Sequence, residues 1–359
     1  MKILAIETSC DDTGVTIMEA KGGIKNPSFK ILADALASQA KMHSAYGGVY
    51  PNLAKNEHVK NLPILLEKVL SAQGGPASGG KKFPVDLIAV TSGPGLEPCL
   101  WTGITFAQAL AKKWGCPLVP VNHMEGHIFS VFGKNKGSFK IPNFSRLANR
   151  GSSTKSGPVL SLLVSGGHTE LVITNEKLKH KIIGQTLDDA AGEAFDKVAR
   201  MLGLPYPGGP EISRLAESLR IKKYESKIKF PRPMLKSKNL NFSFSGLKTS
   251  VLYFTQKNPK ADKTKIALEF ENAVVETLVY KTKKAVLEHK IKTLIVGGGV
   301  SANRHLKKEL AKIKNVKLLL PIRELARDNA IMIGMVGYLN YLKNPKKKYK
   351  IRANGGLRL

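Results

Sequence analysis

The segment Asn122-His123-Met124-Glu125-Gly126-His127 sets two imidazoles four positions apart. On a helix that spacing leaves them about 40° apart around the axis, so both rings can reach one metal ion. Imidazole pairs of this kind suit zinc or iron. Metalloproteases use the same histidine spacing in HExxH, but with the glutamate directly after the first histidine. Glu125 stands one position further on, roughly 200° around the helix from His123, which disfavours a protease. Two histidines capping or packing a helix start are the plain structural alternative. A metal needs a third ligand from elsewhere, and His43, His58, His168, His180, His289 and His305 are available. So is Asp328, at the opening turn of an apolar helix, where capping is the ordinary role of an aspartate.

Glycines form the second group. Ser165-Gly166-Gly167-His168-Thr169 reads as a hairpin tip whose glycines let backbone approach a phosphate. Gly208-Gly209 precedes a helix, and Gly297-Gly298-Gly299 joins a strand to a helix that includes Asn303. Simple chain reversal explains any one of them; three at strand ends and helix starts favour a nucleotide site. No GxxxxGK[ST] is present and the spacing is not GxGxxG, so neither a P-loop nor a dinucleotide fold is expected.

Carboxylates form the third. Asp189, Glu193 and Asp196 or Lys197 share one helical face, where a solvated Glu193–Lys197 pair is the default and contact with ribose hydroxyls the functional alternative. Asp11 and Asp12, in the turn CDDTG, can touch metal, water or substrate, or serve as turn residues.

These groups must be held by a framework, and the apolar runs outline one. Runs at 2–9, 14–20 and 30–38 predict three strands; a helix over about 52–70, a strand at 86–94, a helix over about 98–114 and a strand at 117–123 follow. After residue 158 the order recurs: strands at 159–166, 170–175 and 180–186, helices at about 188–203, 208–220 and 262–289, a strand at 293–299, a helix from Ser301 and a strand at 316–321. Such duplication predicts an α/β fold of two lobes around a cleft. The expected division is 1–128 plus 323–345 as one lobe, 129–157 as a basic flexible insertion, 158–322 as the second lobe and 346–359 as a basic tail. The stretch 71–84 is expected to be a mobile surface loop.

Composition bounds the class. The 359 residues carry 57 Lys plus Arg against 27 Asp plus Glu, a net charge of +30, yet are 42% hydrophobic, which excludes a disordered polycation. A polyanion such as nucleic acid is the natural partner, although most of the basic residues are Lys, which genome composition also favours. Basic residues concentrate at 129–168, 220–248 and 343–359. Cys10, Cys99 and Cys116 form no CxxC pair and suggest a reducing compartment. No apolar run approaches the roughly 20 residues of a membrane span, and the N-terminus reads as a first strand, so a soluble cytoplasmic protein is expected.

Taken in order, ETSCDDTG, GGVYPNLAKNEH, TSGPGLEPCLWTGITFAQALA, NHMEGH, LLVSGGHTEL, DDAAGEAFDKVARMLGLPYPGGP, NFSFSGLKT, VGGGVSANRHL and RDNAIMIG resemble the TsaD family over nearly the whole chain, in its bacterial branch. These are tRNA adenosine threonylcarbamoyltransferases, formerly labelled O-sialoglycoprotein endopeptidases. The resemblance implies an actin-like ATPase fold. It also implies transfer of threonylcarbamoyl from threonylcarbamoyl-AMP to the exocyclic amine of the adenosine following the anticodon in ANN-decoding tRNAs, with release of AMP. It assigns His123, His127 and Asp328 to one iron or zinc ion acting as Lewis acid. It assigns Leu163, Val164, Ser165, Gly166, Gly167, Asp196, Gly209 and Asn303 to the adenylate, with Glu193 as a neighbour; AMP or ATP can occupy the same site. Asp11 is the candidate for assisting proton removal.

Implied partners are tRNA, a TsaB-like paralogue and a TsaE-like ATPase, with a homodimer also allowed. The sequence departs from the family in the length of 133–157, in GGPASGGKK within 71–84, and in RELAR before Asp328. The competing readings are another actin-like phosphotransferase, such as a sugar or acetate kinase, and a non-catalytic tRNA-binding paralogue. Neither explains why the histidine pair is kept.

Overall fold

The computed structural model describes residues 1–72, 85–144, 147 and 157–359. It divides into two compact units: Met1–Met42, Val49–Asn143 and Pro321–Leu359 in the first, His43–Gly48 and Phe144–Leu320 in the second.

In the first unit, β1 (Lys2–Glu7), β2 (Asp12–Lys21) and β3 (Ser28–Ser38) form an antiparallel meander, and β4 (Leu87–Gly93) and β5 (Leu118–Asn122) add in parallel beside β1. The sheet order is β5-β4-β1-β2-β3-β6, the last being Gly137–Lys140. Central β1 and β4 are almost wholly buried, as apolar runs covered on both faces must be. Helices Pro51–Ser71 and Glu97–Trp114 pack beside it, the latter ended by Gly115 in the left-handed conformation at φ 64°. The helix Ala330–Lys343 is also buried through most of its length, with Gly337 set against Ala89 of β4.

In the second unit, β7 (Val159–Val164), β8 (Thr169–Thr174) and β9 (His180–Gln185) form another meander, with β10 (Thr293–Gly297) and β11 (Lys317–Leu319) parallel beside β7. Its order, β11-β10-β7-β8-β9, repeats that of β5-β4-β1-β2-β3. The core packs helices Ala191–Met201, Gly208–Ile221, Ser245–Lys257 and Lys263–Glu288 against this sheet. The helix Ser245–Lys257 is not among the elements expected from the sequence. Its start is organised by tertiary contacts: Asp188 accepts hydrogen bonds from the Phe244 N–H (2.8 Å), the Ser245 N–H and the hydroxyls of Ser243 and Ser245.

Two expectations about connections need correction. Part of the flexible insertion expected at 129–157 is regular structure: Phe129 and Ser130 finish the helix His123–Ser130, and Gly137–Lys140 is edge strand β6, paired antiparallel to β3. Residues 145–146 and 148–156 of that stretch, like 73–84 of the expected mobile loop, lie outside the described residues. Nor is 346–359 a separate tail. Tyr349, Ile351 and Ala353 pack on the first unit's core while the intervening Lys348, Lys350 and Arg352 are exposed. This two-residue alternation is that of an extended segment with one face buried. No helix among the described residues is long and apolar enough to cross a membrane.

Candidate metal centre and nucleotide loops

His123 and His127 lie on the buried helix His123–Ser130, started by Asn122, whose side-chain oxygen accepts from the N–H groups of Met124 (2.9 Å) and Glu125 (3.3 Å). This helix meets Ala330–Lys343 at Gly126, where a Cβ would come within 2.9 Å of Met332. Gly14 of β2 serves the same end, since a Cβ there would stand 3.0 Å from the Ala330 nitrogen. The two close approaches bring Asp328 to the histidines and to the end of β1.

Asp328 Oδ1 lies 3.1 Å from His123 Nε2 and 3.3 Å from His127 Nε2. The rings meet edge-on, with centroids 4.6 Å apart. Among the described residues these three form the group whose ligand atoms converge, all within 4.8 Å of one another. Capping does not consume Asp328: the next residue, Asn329, caps the helix by accepting from the Met332 N–H (2.9 Å). His127 is fully buried; its Nδ1 has no hydrogen-bond partner among the described residues, and its Nε2 faces only the Asp328 carboxylate, in no well-aligned hydrogen bond. A buried imidazole left in this way fits a metal ligand, because orphaned polar atoms are costly. The donor set, two imidazoles and a carboxylate, suits zinc or iron.

Two residues not singled out in the sequence complete the surroundings. His123 Nδ1 lies 3.0 Å from Glu7 Oε2 and 3.2 Å from Ser9 Oγ. Glu7 is fully buried and also accepts from the Ser9 N–H (2.5 Å) and the Thr91 hydroxyl (2.6 Å). Burial pulls His123 down, but the charges of Asp328 and Glu7 hold its imidazole well above the usual histidine range. Burial pushes Asp328 and Glu7 up, but His123 together with His127 outweighs it for Asp328, and His123 together with the Ser9 hydrogen bond for Glu7, leaving each carboxyl below its ordinary range. Burial holds His127 low. A glutamate at the end of an apolar strand was the available signal for Glu7.

Asp11 and Asp12 fall in and just after the β1–β2 turn that supplies Ser9. Burial pushes the Asp12 carboxyl up to about 7, despite a Ser38 hydrogen bond that lowers it, and Asp328 and Asp11 add to the rise. Glu125 faces Lys343 at 3.9 Å, away from a protease role. His58 instead ties this turn down, with Nε2 2.9 Å from the Cys10 carbonyl and Nδ1 2.8 Å from the Thr13 hydroxyl.

In the second unit the glycines separate into two kinds. Gly166, Gly167 and Gly299 have nothing within 4 Å of where a Cβ would stand, and Gly209 only Phe195 at 3.9 Å. Gly192, Gly208 and Gly298 are close-packing positions: Gly192 at the start of Ala191–Met201 abuts the Ser165 carbonyl, and Gly298, at φ 88°, abuts the carbonyl of Val164. Leu163 and Val164 are buried at the end of β7, and Ser165 turns the tip by donating its N–H to the His168 carbonyl (2.9 Å). Asp196 accepts from the Gly208 N–H (2.8 Å) and so orients the start of Gly208–Ile221. Several backbone N–H groups at helix starts are thereby gathered near open glycines, an arrangement that favours anions.

Two expected ligand contacts are engaged within the protein. Asn303 caps Arg304–Leu310 by accepting from the Leu306 N–H, and its amide donates to Glu271 (2.7 Å) and Ser213 (3.0 Å). Glu193 closes onto the Ala190 N–H (3.3 Å) and pairs with Lys197 (2.7 Å), the default reading of its run.

Comparison with known proteins gives the family and the fold. The family model described as "TsaD: tRNA N6-adenosine threonylcarbamoyltransferase" matches residues 30–148 and 141–335. A tRNA N6-adenosine threonylcarbamoyltransferase of Thermosipho africanus is 41% identical over 364 residues, covering 100% of both chains. One from Bacillus subtilis is 39% identical, covering 100% of this chain and 96% of its own. Among solved structures, HypF of T. kodakarensis aligns with a TM-score of 0.55 at 14% identity, over 95% of this chain and 47% of its own. Component A of (R)-2-hydroxyglutaryl-CoA dehydratase from Acidaminococcus fermentans aligns at 0.51 and 13%, over 97% and 100%. Those two likenesses establish the actin-like ATPase fold, which the repeated sheet order also expresses. With full-length identity near two fifths and the ordered motifs in place, the chain belongs to the TsaD family of tRNA N6-adenosine threonylcarbamoyltransferases.

Proposed function

We propose that this chain transfers the threonylcarbamoyl group of threonylcarbamoyl-AMP to N6 of the adenosine following the anticodon in ANN-decoding tRNAs. The observation that carries the reading, beyond family membership, is the convergence of buried His123 and His127 and half-buried Asp328 on one point. An actin-like kinase gives no reason for such a donor set. In the reaction the N6 amine attacks the carbamoyl carbon, the bond from that carbon to the phosphate oxygen breaks, AMP leaves, and the amine loses a proton. Bound there, an iron or zinc ion supplies Lewis-acid polarisation.

The chain's own residues do the rest. Backbone at Ser165, Gly166, Gly167 and Gly209 receives the adenylate phosphate; Asp196 fixes the Gly208–Gly209 turn, and Asn303 braces its helix through Ser213. Asp11, on the turn beside Ser9, is the proton acceptor. Because adenine N6 is a weak nucleophile, positioning supplies much of the rate. The tRNA backbone is met by exposed Lys222, Lys223, Lys227, Lys229, Lys236 and Lys238 and by the outward residues of 343–359. A TsaB-like paralogue and a TsaE-like ATPase are the expected protein partners, and the compartment is the cytoplasm.

The test incubates the protein and its partners with threonylcarbamoyl-AMP and unmodified tRNA, followed by nucleoside analysis. Threonylcarbamoyladenosine from the wild type and none from His123→Ala supports the reading. No product from folded, metal-loaded wild type overturns it.

A further inference from the structure

We propose that Glu7 is a positioning residue for the metal: it fixes the tautomer of His123 and supplies a second buried negative charge that selects a divalent cation. The inference rests on the metal reading of His123, His127 and Asp328 and adds a residue that never touches the ion.

The tautomer follows from distances. His123 Nδ1 lies 3.0 Å from a carboxylate oxygen of Glu7. A nitrogen lone pair aimed at that oxygen would be repelled, so Nδ1 carries a proton and donates it. The Nε2 lone pair then faces Asp328 Oδ1 at 3.1 Å, and that contact is favourable only with a cation between them or a second proton on the ring. Ser9 Oγ, at 3.2 Å from Nδ1, cannot replace Glu7 as acceptor without leaving the Glu7 charge unanswered. The Glu7 carboxylate also accepts from two neutral donors, the Ser9 N–H and the Thr91 hydroxyl. They orient the carboxylate but leave its charge for the imidazole and whatever binds behind it.

Charge counting gives the same answer. Glu7 and Asp328 contribute two negative charges, two neutral imidazoles contribute none, and one divalent cation balances the set. Ligating histidines whose second nitrogen is held by a carboxylate bind metal more tightly, because the ring is already oriented and more basic.

The experiment measures Zn2+ affinity by chelator competition and the visible absorption spectrum of the Co2+-loaded protein, for wild type, Glu7→Gln and Thr91→Val. Wild type is expected to bind one ion. Glu7→Gln, which loses the charge and offers donors to donors, is expected to bind about 10- to 100-fold more weakly, with an altered Co2+ spectrum. Thr91→Val keeps shape and strand and removes one hydrogen bond to Glu7, so it is expected to show a loss in the same direction of about threefold. If Glu7→Gln does not fold, Thr91→Val decides. Affinity and Co2+ spectrum unchanged in the folded variants would overturn the role of Glu7 while leaving the metal site intact. Absence of metal binding by wild type would overturn the site itself, and this proposal with it.

Discussion

The side-chain amide of Asn122 donates to the backbone carbonyl of Arg358 (3.2 Å), joining residues 236 positions apart, while the oxygen of the same amide caps the helix that carries His123 and His127. Residues near Arg358 thus brace the start of the helix His123–Ser130. They do so as one strap: the Asn354 N–H donates to the Ser92 carbonyl (2.9 Å), the Gly95 N–H to the Gly355 carbonyl (3.3 Å), and the Gly355 N–H to Glu97 (3.2 Å).

Removing residues 354–359 is therefore expected to destabilise the protein by about 2 kcal/mol, a few partly exposed hydrogen bonds at roughly 0.5–1.5 kcal/mol each. Urea unfolding at fixed metal concentration reads this. A truncated protein as stable as the full chain would show that the strap only lies along the surface.

The Asp12 carboxyl sets a pH dependence. Its Oδ1 is buried without a hydrogen-bond partner among the described residues, and its affinity for a proton is raised to about 7. A folded-state value above the unfolded one means that the folded protein holds a proton that the unfolded chain has released. The stabilising contribution is present below about pH 4 and is lost as pH rises through 7. At 1.36 kcal/mol per unit, the loss across that window is at most about 4 kcal/mol. Metal-stripped wild type should lose stability between about pH 4 and pH 7, and Asp12→Asn should show a flatter profile. Identical profiles would assign the dependence elsewhere.

The two kinds of glycine predict opposite consequences for one added methyl. Gly298→Ala places a Cβ against the Val164 carbonyl at a left-handed φ of 88°, and is expected to cost about 1–3 kcal/mol or more. Gly166→Ala meets only open space, so its melting temperature should stay near wild type while AMP affinity falls as the methyl occupies the approach to the backbone. Calorimetry with and without AMP separates the two. Full AMP affinity in Gly166→Ala would remove the hairpin tip from the nucleotide site.

Net charge makes a quantitative prediction as well. Of the basic residues in 220–248, Arg220 and Arg232 are paired with Glu271 and Glu269, and Lys248 with Asp189. Two of the six exposed lysines, Lys236 and Lys238, flank a loop that buried Lys281 anchors by donating to Ser237 Oγ (2.7 Å) and the Asn239 carbonyl (2.8 Å). Changing Lys222, Lys223, Lys227 and Lys229 to Glu should weaken tRNA binding. It should also lower the slope of log affinity against log salt by roughly 0.7–0.9 for each phosphate that is no longer neutralised. An unchanged slope would mean that the excess positive charge there is compositional.

Local pattern carried a large part of this protein. The strands of both meanders, the parallel strands beside them, most of the helices and the duplicated order follow from apolar periodicity and glycine punctuation, which depend on neighbours in sequence. The His123–His127 pair was legible for the same reason, since four-residue spacing on a helix is a local fact. Residue type alone left Asp328 open as a helix cap; that Asn329 takes the cap, and that Gly14 and Gly126 let Asp328 approach the histidines, came from tertiary structure. Glu7, the strap at Asn354–Arg358, edge strand β6 and the internal commitment of Asn303 also came from tertiary structure. Each depends on partners tens to hundreds of positions away, brought together by sheet register and helix crossing, and neither leaves a period in the sequence.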